Sequence, residues 1–180
     1  AGTVVDRDVC IVGAGAAGIS LALELDRRGL SVCLLESGGH VLESGSQDLY
    51  WGEPPRGDLL AEPDYLWRSR LRFLGGTTNH WAGYCSPLDP IDFEARDWVP
   101  NSGWPFGRAS LEPWYRRAAA WLEIPPWSTD FRDPDVPSPP FGTRGLESAL
   151  YSMSPPTRFG ARYRPELEAS RRILLLLHSN

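Results

Sequence analysis

The distribution of apolar and polar residues over the first forty positions predicts a strand, a helix and a second strand. Residues 8–12 (DVCIV) are a short β-prone run, typical of a strand that is covered on both faces of a parallel sheet. A helical pattern follows and continues to about Arg28, where Gly29 is well placed to end it. Residues 31–35 predict the second strand. The buried face of the helix is expected to contain Ile19, Ala22, Leu23 and Leu25.

The rest of the chain is less regular, and three further segments carry a structural pattern. Residues 38–70 lack periodicity and are rich in Gly, Pro and Asp, which indicates either a surface loop or a lid over a ligand. Prolines recur through residues 124–141 and predict an extended connector. Residues 159–170 predict a short helix that leads into a strand at 173–177. A strand that returns after so long an excursion predicts extra structure inserted into a Rossmann-like, doubly wound α/β sheet.

One more helix is predicted between the irregular segments. Ser110 is a suitable N-cap, and Glu112 and Pro113 suit the first helical turn. The apolar residues that follow recur with helical spacing and predict core packing, and they are Trp114, Ala118, Trp121 and Leu122.

A GxGxxG motif lies between the first predicted strand and helix. Gly13 suits the tight turn, Gly15 lets the backbone approach a pyrophosphate, and Gly18 lets the helix pack closely on the strand. The helix N-terminus offers free N–H groups and a positive dipole to phosphates. Glu36 closes the second strand, where a carboxylate accepts hydrogen bonds from an adenosine ribose and disfavours a 2′-phosphate. The segment therefore predicts dinucleotide binding without deciding between FAD and NAD.

A second glycine motif, RFLGGTTNHWAG, occupies residues 72–83. Gly75 and Gly76 allow close backbone approach, and Thr77 and Thr78 supply hydroxyl groups, a combination suited to a phosphate or to the edge of a flat heteroaromatic ring. Taken alone, the motif favours a structural turn with a hydrogen-bonded His80 over a ligand site.

Composition and charge narrow the class of protein. With 42% hydrophobic and 23% charged residues, a 180-residue chain is able to bury a core as one domain. A net charge of −5 and scattered Arg residues make nucleic acid an unsuitable partner. The longest apolar run, at 173–177, is too short to span a membrane, and no signal pattern opens the chain, so a cytoplasmic location is expected.

The three cysteines form no CxxC pair, which predicts a reducing compartment rather than a disulfide scaffold. Cys10 and Cys33 lie in apolar runs and are expected to be small core residues, whereas the role of Cys85 stays open. No metal ligands are predicted. Because the chain opens on Ala1 and stops directly after a predicted strand, it is expected to be a fragment.

With both glycine motifs placed, the sequence resembles the N-terminal part of the glucose-methanol-choline (GMC) flavoprotein oxidoreductases. The anchors are DVCIVGAGAAG, RFLGGTTNHWAG, SGWPFGRASLEPWYRRA and TRFGARYRPELEASRRILLLLH, and together they extend over most of the chain. GGTTNHW and GWPF are most similar to bacterial sugar-oxidising members related to pyranose oxidases and sugar dehydrogenases.

This resemblance implies FAD as the cofactor, with residues 38–70 in the segment that covers it. Gly75, Gly76 and Thr77 would lie along the pyrophosphate and the isoalloxazine, and His80 falls where some relatives attach FAD covalently. Three roles for His80 stay open: a covalent bond, a non-covalent flavin contact and a structural role. Trp81 and Ala82 depart from the residues of relatives. The full set of expected cofactor contacts is Gly13, Gly15, Ala16, Ala17, Gly18, Glu36, Ser37, Arg72, Gly75, Gly76, Thr77, Asn79, His80 and Ala82.

The resemblance also implies the reaction, a hydride transfer from a sugar or alcohol CH–OH group to flavin. The catalytic base of relatives lies near their C-terminus, so no catalytic residue is assigned to this chain, and the chain alone is expected to be inactive. A doubly wound sheet that ends after its third recognisable strand would expose an unpaired edge and apolar surface, which predicts poor solubility or dependence on a partner. His40 is expected to be a solvated loop residue, and His178 to lie at a frayed end. Two alternatives stay open: a non-catalytic dinucleotide-binding module and an NAD-dependent dehydrogenase.

The expected plan has four segments. Residues 8–37 hold the βαβ dinucleotide motif, 38–84 the cofactor-covering segment with the second motif, 85–156 an inserted helix and the proline-rich connector, and 157–180 a helix and the returning strand. The substrate domain is expected to be absent, so a sugar or alcohol would bind through that missing domain. An electron-acceptor subunit is a further possible partner.

Overall fold

The computed structural model describes residues 4–52, 64–126 and 151–180. These residues divide into two compact units. One contains Ala1–Trp81 and Thr157–Asn180, and the other contains Ala82–Pro156. The strands in chain order are β1 (Val9–Val12), β2 (Val32–Leu35), β3 (Tyr84–Cys85), β4 (Ser152–Met153) and β5 (Ile173–Leu176). The α-helices are α1 (Ala16–Arg27), α2 (Ser44–Gln47), α3 (Tyr65–Ser69), α4 (Glu112–Trp121) and α5 (Phe159–Ala169).

A three-stranded parallel sheet in the order β1-β2-β5 forms the centre of the first unit. Val32 of β2 is in register with Val9 on one side and with Ile173 on the other. Helix α1 connects β1 to β2, and α5 leads into β5, so the unit is an α/β structure. The predicted strand, helix and strand at the N-terminus are confirmed. The returning strand is confirmed too, because its apolar run pairs with β2.

Helices α1 and α5 pack against each other and against the sheet. Phe159, Ile19 and Leu34 are among the fully buried side chains of this core. Three of the four residues predicted for the buried face of α1 are buried as expected, while Leu25 is only partly covered. Gly29 has a φ of 84°, and its N–H donates to the carbonyl of Asp26, so it ends the helix as predicted.

The prediction that β1 is covered on both faces is wrong for the described residues. Ile11 faces α1 and is buried, whereas Val12 is 83% exposed. Cys10 is exposed too, which corrects its expected place in the core. Side chains alternate along a strand, so Cys10 and Val12 point away from the face that α1 covers. Cys33 and Cys85 are buried, and burial raises the pKa of both thiols.

The segment that lacks periodicity contains short helical turns and is held together by one buried side chain. Its helices α2 and α3 are joined through Gln47, whose side-chain amide donates to the carbonyls of Trp67 (2.6 Å) and Arg70 (2.7 Å). The Gln47 side-chain oxygen accepts from the backbone N–H of Arg72 at 3.0 Å. This arrangement fixes the start of the second glycine motif. Residues 53–63 lie outside the described part of the chain.

In the second unit, β3 and β4 pair antiparallel and α4 follows a 3-10 turn at Arg108–Leu111. The prediction of Ser110 as N-cap is wrong, since Ser110 lies inside that turn and Leu111 precedes the helix. The predicted core stripe is confirmed only in part, because Ala118, Trp121 and Leu122 are half-buried. Trp114 is 54% exposed, and Ala119 is the buried residue of the helix. Most of the predicted proline-rich connector, residues 127–141, lies outside the described residues.

Among the helices in the described ranges, none has the length and apolar character needed to cross a lipid bilayer.

Candidate cofactor site

The first unit contains a cavity of about 510 Å³ at the carboxyl ends of β1 and β2. In parallel α/β sheets, ligands bind at this edge. Residues from both glycine motifs and from the segment between them line the cavity, and they are Val12, Gly13, Gly15, Leu35, Glu36, Ser37, Tyr50, Leu71, Arg72, Gly76, Thr77, Ser179 and Asn180.

The first glycine loop presents its bare backbone to this cavity. Gly13 has a φ of 97°, a left-handed conformation that favours glycine, and its N–H donates to the carbonyl of Leu35 at 2.8 Å. Methyl groups added to Gly13 or Gly15 would meet no atom within 4 Å. The first turn of α1, with Ala16 and Ala17, has no side-chain cap. Its N–H groups are therefore suited to an anionic ligand such as a pyrophosphate.

Gly18 lies on the opposite side of the same loop. A methyl group on Gly18 would overlap the carbonyl oxygen of Gly13 and lie 3.4 Å from the side chain of Ile11. The first turn of α1 therefore packs directly on the end of β1, and this close approach requires glycine. Gly18 supports the cavity without lining it.

Glu36 is the buried acid of the site, with 7% of its surface exposed. One carboxylate oxygen accepts a hydrogen bond from the N–H of Ala14 at 2.9 Å, and the other accepts from the N–H of Gly38 at 3.1 Å. Each oxygen keeps a second lone pair, so Glu36 is able to hold the glycine loop and also to accept from a ligand hydroxyl.

The second glycine motif is attached directly to the first. The N–H of Gly75 donates to the carbonyl of Ala14 at 2.8 Å. A methyl group on Gly76 would lie 3.2 Å from the Cα atom of Gly15. Gly75 and Gly76 both have positive φ, 96° and 53°. The two motifs, sixty residues apart, therefore form one continuous backbone surface, and Gly76 and Thr77 lie on the cavity.

Ser37, Arg72 and Tyr50 form another part of the cavity wall. The Nε of Arg72 donates to the hydroxyl of Ser37 at 2.6 Å, and the guanidinium lies 4.8 Å from the centre of the Tyr50 ring. Sequence reasoning found Ser37 and Arg72 but missed Tyr50, because an aromatic residue inside an irregular segment carries no pattern. It also missed the lining residues Val12, Leu35, Leu71, Ser179 and Asn180.

Several predicted contacts lie beside the cavity rather than on it. Gly75 packs against Gly160, and the Asn79 side chain donates to the carbonyls of Leu74 (3.0 Å) and Gly76 (2.9 Å). His80 is exposed and follows the 3-10 turn at Gly76–Asn79. Ala82 belongs to the other unit.

Neither of the other histidines lies on the cavity wall. His40 is exposed, as expected. His178 is better ordered than a frayed end, because its N–H donates to the carbonyl of Gly38 at 3.1 Å and its ring lies 3.4 Å from the carboxylate of Glu43.

Comparison with known proteins identifies a family. Residues 8–153 match the DAO family model, described as FAD dependent oxidoreductase. The chain is 32% identical to 6'''-hydroxyparomomycin C oxidase of Streptomyces lividus and 34% identical to paromamine 6'-oxidase of Streptomyces fradiae. Each match covers 60% of this chain and 21% of the relative, so the chain spans about a fifth of the length of these curated relatives.

The matching family is one of FAD-dependent oxidoreductases, which is a coarser result than the GMC expectation. DAO is a different family from GMC, so the GMC assignment is not supported. The cofactor of the family is FAD, and the residues present fit it. A bare glycine loop, an uncapped helix N-terminus and a buried carboxylate on one cavity match the pyrophosphate and ribose of a dinucleotide.

Proposed function

Because the chain belongs to the FAD-dependent oxidoreductase family, we propose that it is the cofactor-binding part of an enzyme that oxidises a sugar or other alcohol. When bound, FAD supplies the acceptor for the hydride that leaves a CH–OH carbon. The residues of this chain bind and orient that cofactor. No catalytic base is assigned to them.

The observation that supports this proposal best is the hydrogen bond between the two glycine loops. The Gly75 N–H and the Ala14 carbonyl join the loops into one surface on the cavity. A dinucleotide-binding loop alone would suit NAD equally well. The second loop extends the same surface beyond the pyrophosphate position, where a flavin has a large ring system and needs further contacts.

In this proposal, each group of residues on the cavity contacts a different part of FAD. The N–H groups of the first turn of α1 face the pyrophosphate, and the Glu36 carboxylate accepts from the adenosine ribose. Gly76 and Thr77, which line the cavity, would lie along the flavin half of the cofactor. Tyr50, from the segment between the motifs, and Arg72, the first residue of the second motif, would cover it.

A sugar is the first substrate class to test. Both curated relatives are named as oxidases of paromamine or of a paromomycin. The finer resemblance to GMC enzymes remains a prediction.

The test is flavin reduction by substrate. The protein is expressed from its gene, with any coding sequence beyond Asn180 included, loaded with FAD and mixed anaerobically with paromamine or with simple sugars. Loss of the visible flavin absorbance with one of these alcohols supports the proposal. A protein that binds NAD in preference to FAD, or a flavin that no alcohol reduces, contradicts it.

His80 receives a separate test. We propose that its imidazole contacts the flavin, either through a covalent bond or by packing. After acid precipitation of the FAD-loaded protein, flavin fluorescence that stays with the denatured chain and disappears in His80→Ala identifies a bond. Complete release of flavin to the supernatant excludes one and leaves the non-covalent contact. In that case, an unchanged flavin spectrum in His80→Ala would exclude the contact as well.

A further inference from the structure

The segment that carries His80 is held by a side chain from the other end of the chain. Arg158, at the start of α5, uses one guanidinium nitrogen, Nη1, to donate to two backbone carbonyls. Its distances are 2.9 Å to the Thr78 oxygen and 2.8 Å to the Trp81 oxygen. The two carbonyls bracket Asn79 and His80, so both ends of this short segment are attached to the same atom.

Neighbouring contacts make the attachment rigid. The hydroxyl of Thr78 accepts from the N–H of Phe159 at 3.1 Å and donates to the carbonyl of Gly75 at 2.7 Å. The indole N–H of Trp81 donates to the carbonyl of Thr157 at 3.1 Å. Thr78, Thr157 and Phe159 are each more than nine-tenths buried. Residues 78–81 are therefore joined to residues 157–159 by side-chain contacts at both ends.

The chemistry of Arg158 suits this position. The 3-10 turn ends at Asn79, and Arg158 supplies the donor for the Thr78 carbonyl near its C-terminal end. A guanidinium is always charged, and hydrogen bonds from a charged donor are shorter and stronger than neutral ones. His80 itself is exposed, so the direction in which its side chain leaves the main chain depends on the backbone that Arg158 holds.

We propose that Arg158 is a positioning residue for the reaction, because it fixes the carbonyls of Thr78 and Trp81 on either side of His80 and thereby sets how that segment meets the flavin. This inference rests on the proposed function, in which the second glycine motif contacts the cofactor. Arg158 acts through the backbone and does not itself need to touch FAD.

The test compares three variants of the FAD-loaded full chain. Arg158→Met keeps the unbranched stem of the side chain and removes the guanidinium donors. Arg158→Lys restores a cation with three donors, enough for both carbonyls. Arg164→Met is the matched control, since Arg164 lies on the exposed side of the same helix and pairs with Glu168 at 2.6 Å. The readouts are the visible circular dichroism of the flavin, its midpoint potential, and hydrogen exchange at residues 78–82.

In Arg158→Met we expect a changed flavin circular dichroism spectrum, a shifted potential, and exchange at residues 78–82 faster by roughly tenfold. Arg158→Lys is expected to recover most of the wild-type signals, and Arg164→Met to match wild type. A wild-type flavin signal in Arg158→Met would overturn the inference. So would an Arg158→Lys protein that behaves like the Met variant or fails to fold, since the hydrogen bonds would then not explain the effect.

These readouts separate the inference from the proposed function. All of them are measured without sugar, so a failure of sugar to reduce the flavin would contradict the proposed function and leave the inference standing. If the wild-type chain bound no FAD, the inference would fall with the proposed function, whatever hydrogen exchange showed about the Arg158 contacts.

Discussion

Replacing Gly18 with alanine places a methyl group against a backbone atom that has no room to move. The Gly13 carbonyl oxygen that the methyl would overlap belongs to a residue whose own N–H is bonded to Leu35 at 2.8 Å. Overpacking of this kind costs up to about 3 kcal/mol when a backbone atom must shift. Alanine regains about 1 kcal/mol through its higher helix propensity. The net loss of about 2 kcal/mol corresponds to a fall in Tm of roughly 4–8 °C for a chain of this size.

Gly15→Ala is the contrasting change in the same loop. Gly15 has φ −82° and ψ −169°, which alanine adopts without strain, and the added methyl meets no protein atom. We expect the stability to change by no more than about 1 kcal/mol, the difference between glycine and alanine at an N-cap. The methyl would project into the cavity and weaken FAD binding by about tenfold, or about 1.4 kcal/mol.

The assay measures both quantities for each protein: Tm by thermal unfolding without cofactor, and the Kd for FAD by flavin fluorescence. Gly45→Ala serves as the control, because a methyl group there meets no atom within 4 Å. The reasoning predicts that Gly18→Ala mainly loses stability and that Gly15→Ala mainly loses affinity. A Gly18→Ala protein as stable as wild type, or a Gly15→Ala protein with unchanged Kd, would refute it.

Three further substitutions test other parts of the unit. Glu36→Gln leaves one of two buried N–H partners without an acceptor, so urea unfolding should show a free energy of unfolding lower by about 1–3 kcal/mol. Unchanged stability would contradict the importance of the two hydrogen bonds that Glu36 accepts from Ala14 and Gly38. Thr78→Val removes a buried hydroxyl and leaves the Phe159 N–H unpaired, with an expected loss of about 2 kcal/mol in the same assay. For Asp8, hydrogen bonds from the Ser31 hydroxyl and N–H hold the pKa below its usual range. The contribution of Asp8 to stability is complete above the unfolded-state pKa and is lost as the pH falls through the folded-state pKa. The difference in the free energy of unfolding between wild type and Asp8→Asn should therefore shrink in acid. A difference that stays constant with pH would argue against this role.

The elements that the sequence predicted well are those whose pattern is local. The strand, glycine loop, helix and strand at the N-terminus follow from apolar spacing and from glycines at fixed positions, and the apolar run that becomes β5 is recognisable by itself. Glu36 was placed by its distance from the motif. The structure adds that its carboxylate accepts from the N–H groups of Ala14 and Gly38, a contact that spacing alone does not reveal.

The features that the sequence did not predict depend on tertiary packing, that is, on which side chains are buried by segments distant in sequence. Helical spacing predicted Trp114 as a core residue. Spacing shows only that residues share a face, and Trp114 is exposed at one end of a face that is otherwise half-buried. Cys10 lies in an apolar strand whose outer side is open. Arg158 and Tyr50 act through contacts with segments far away in sequence. Without knowledge of the tertiary structure, nothing distinguishes Arg158 from a surface arginine.

The central claim is that the two glycine loops form one FAD site, and hydrogen exchange with and without FAD tests it most directly. Slower exchange caused by FAD in residues 13–18 and in residues 75–77 together, with no change in residues 164–170, is the predicted result. FAD binding that protects only one of the two loops, or neither, would contradict the claim.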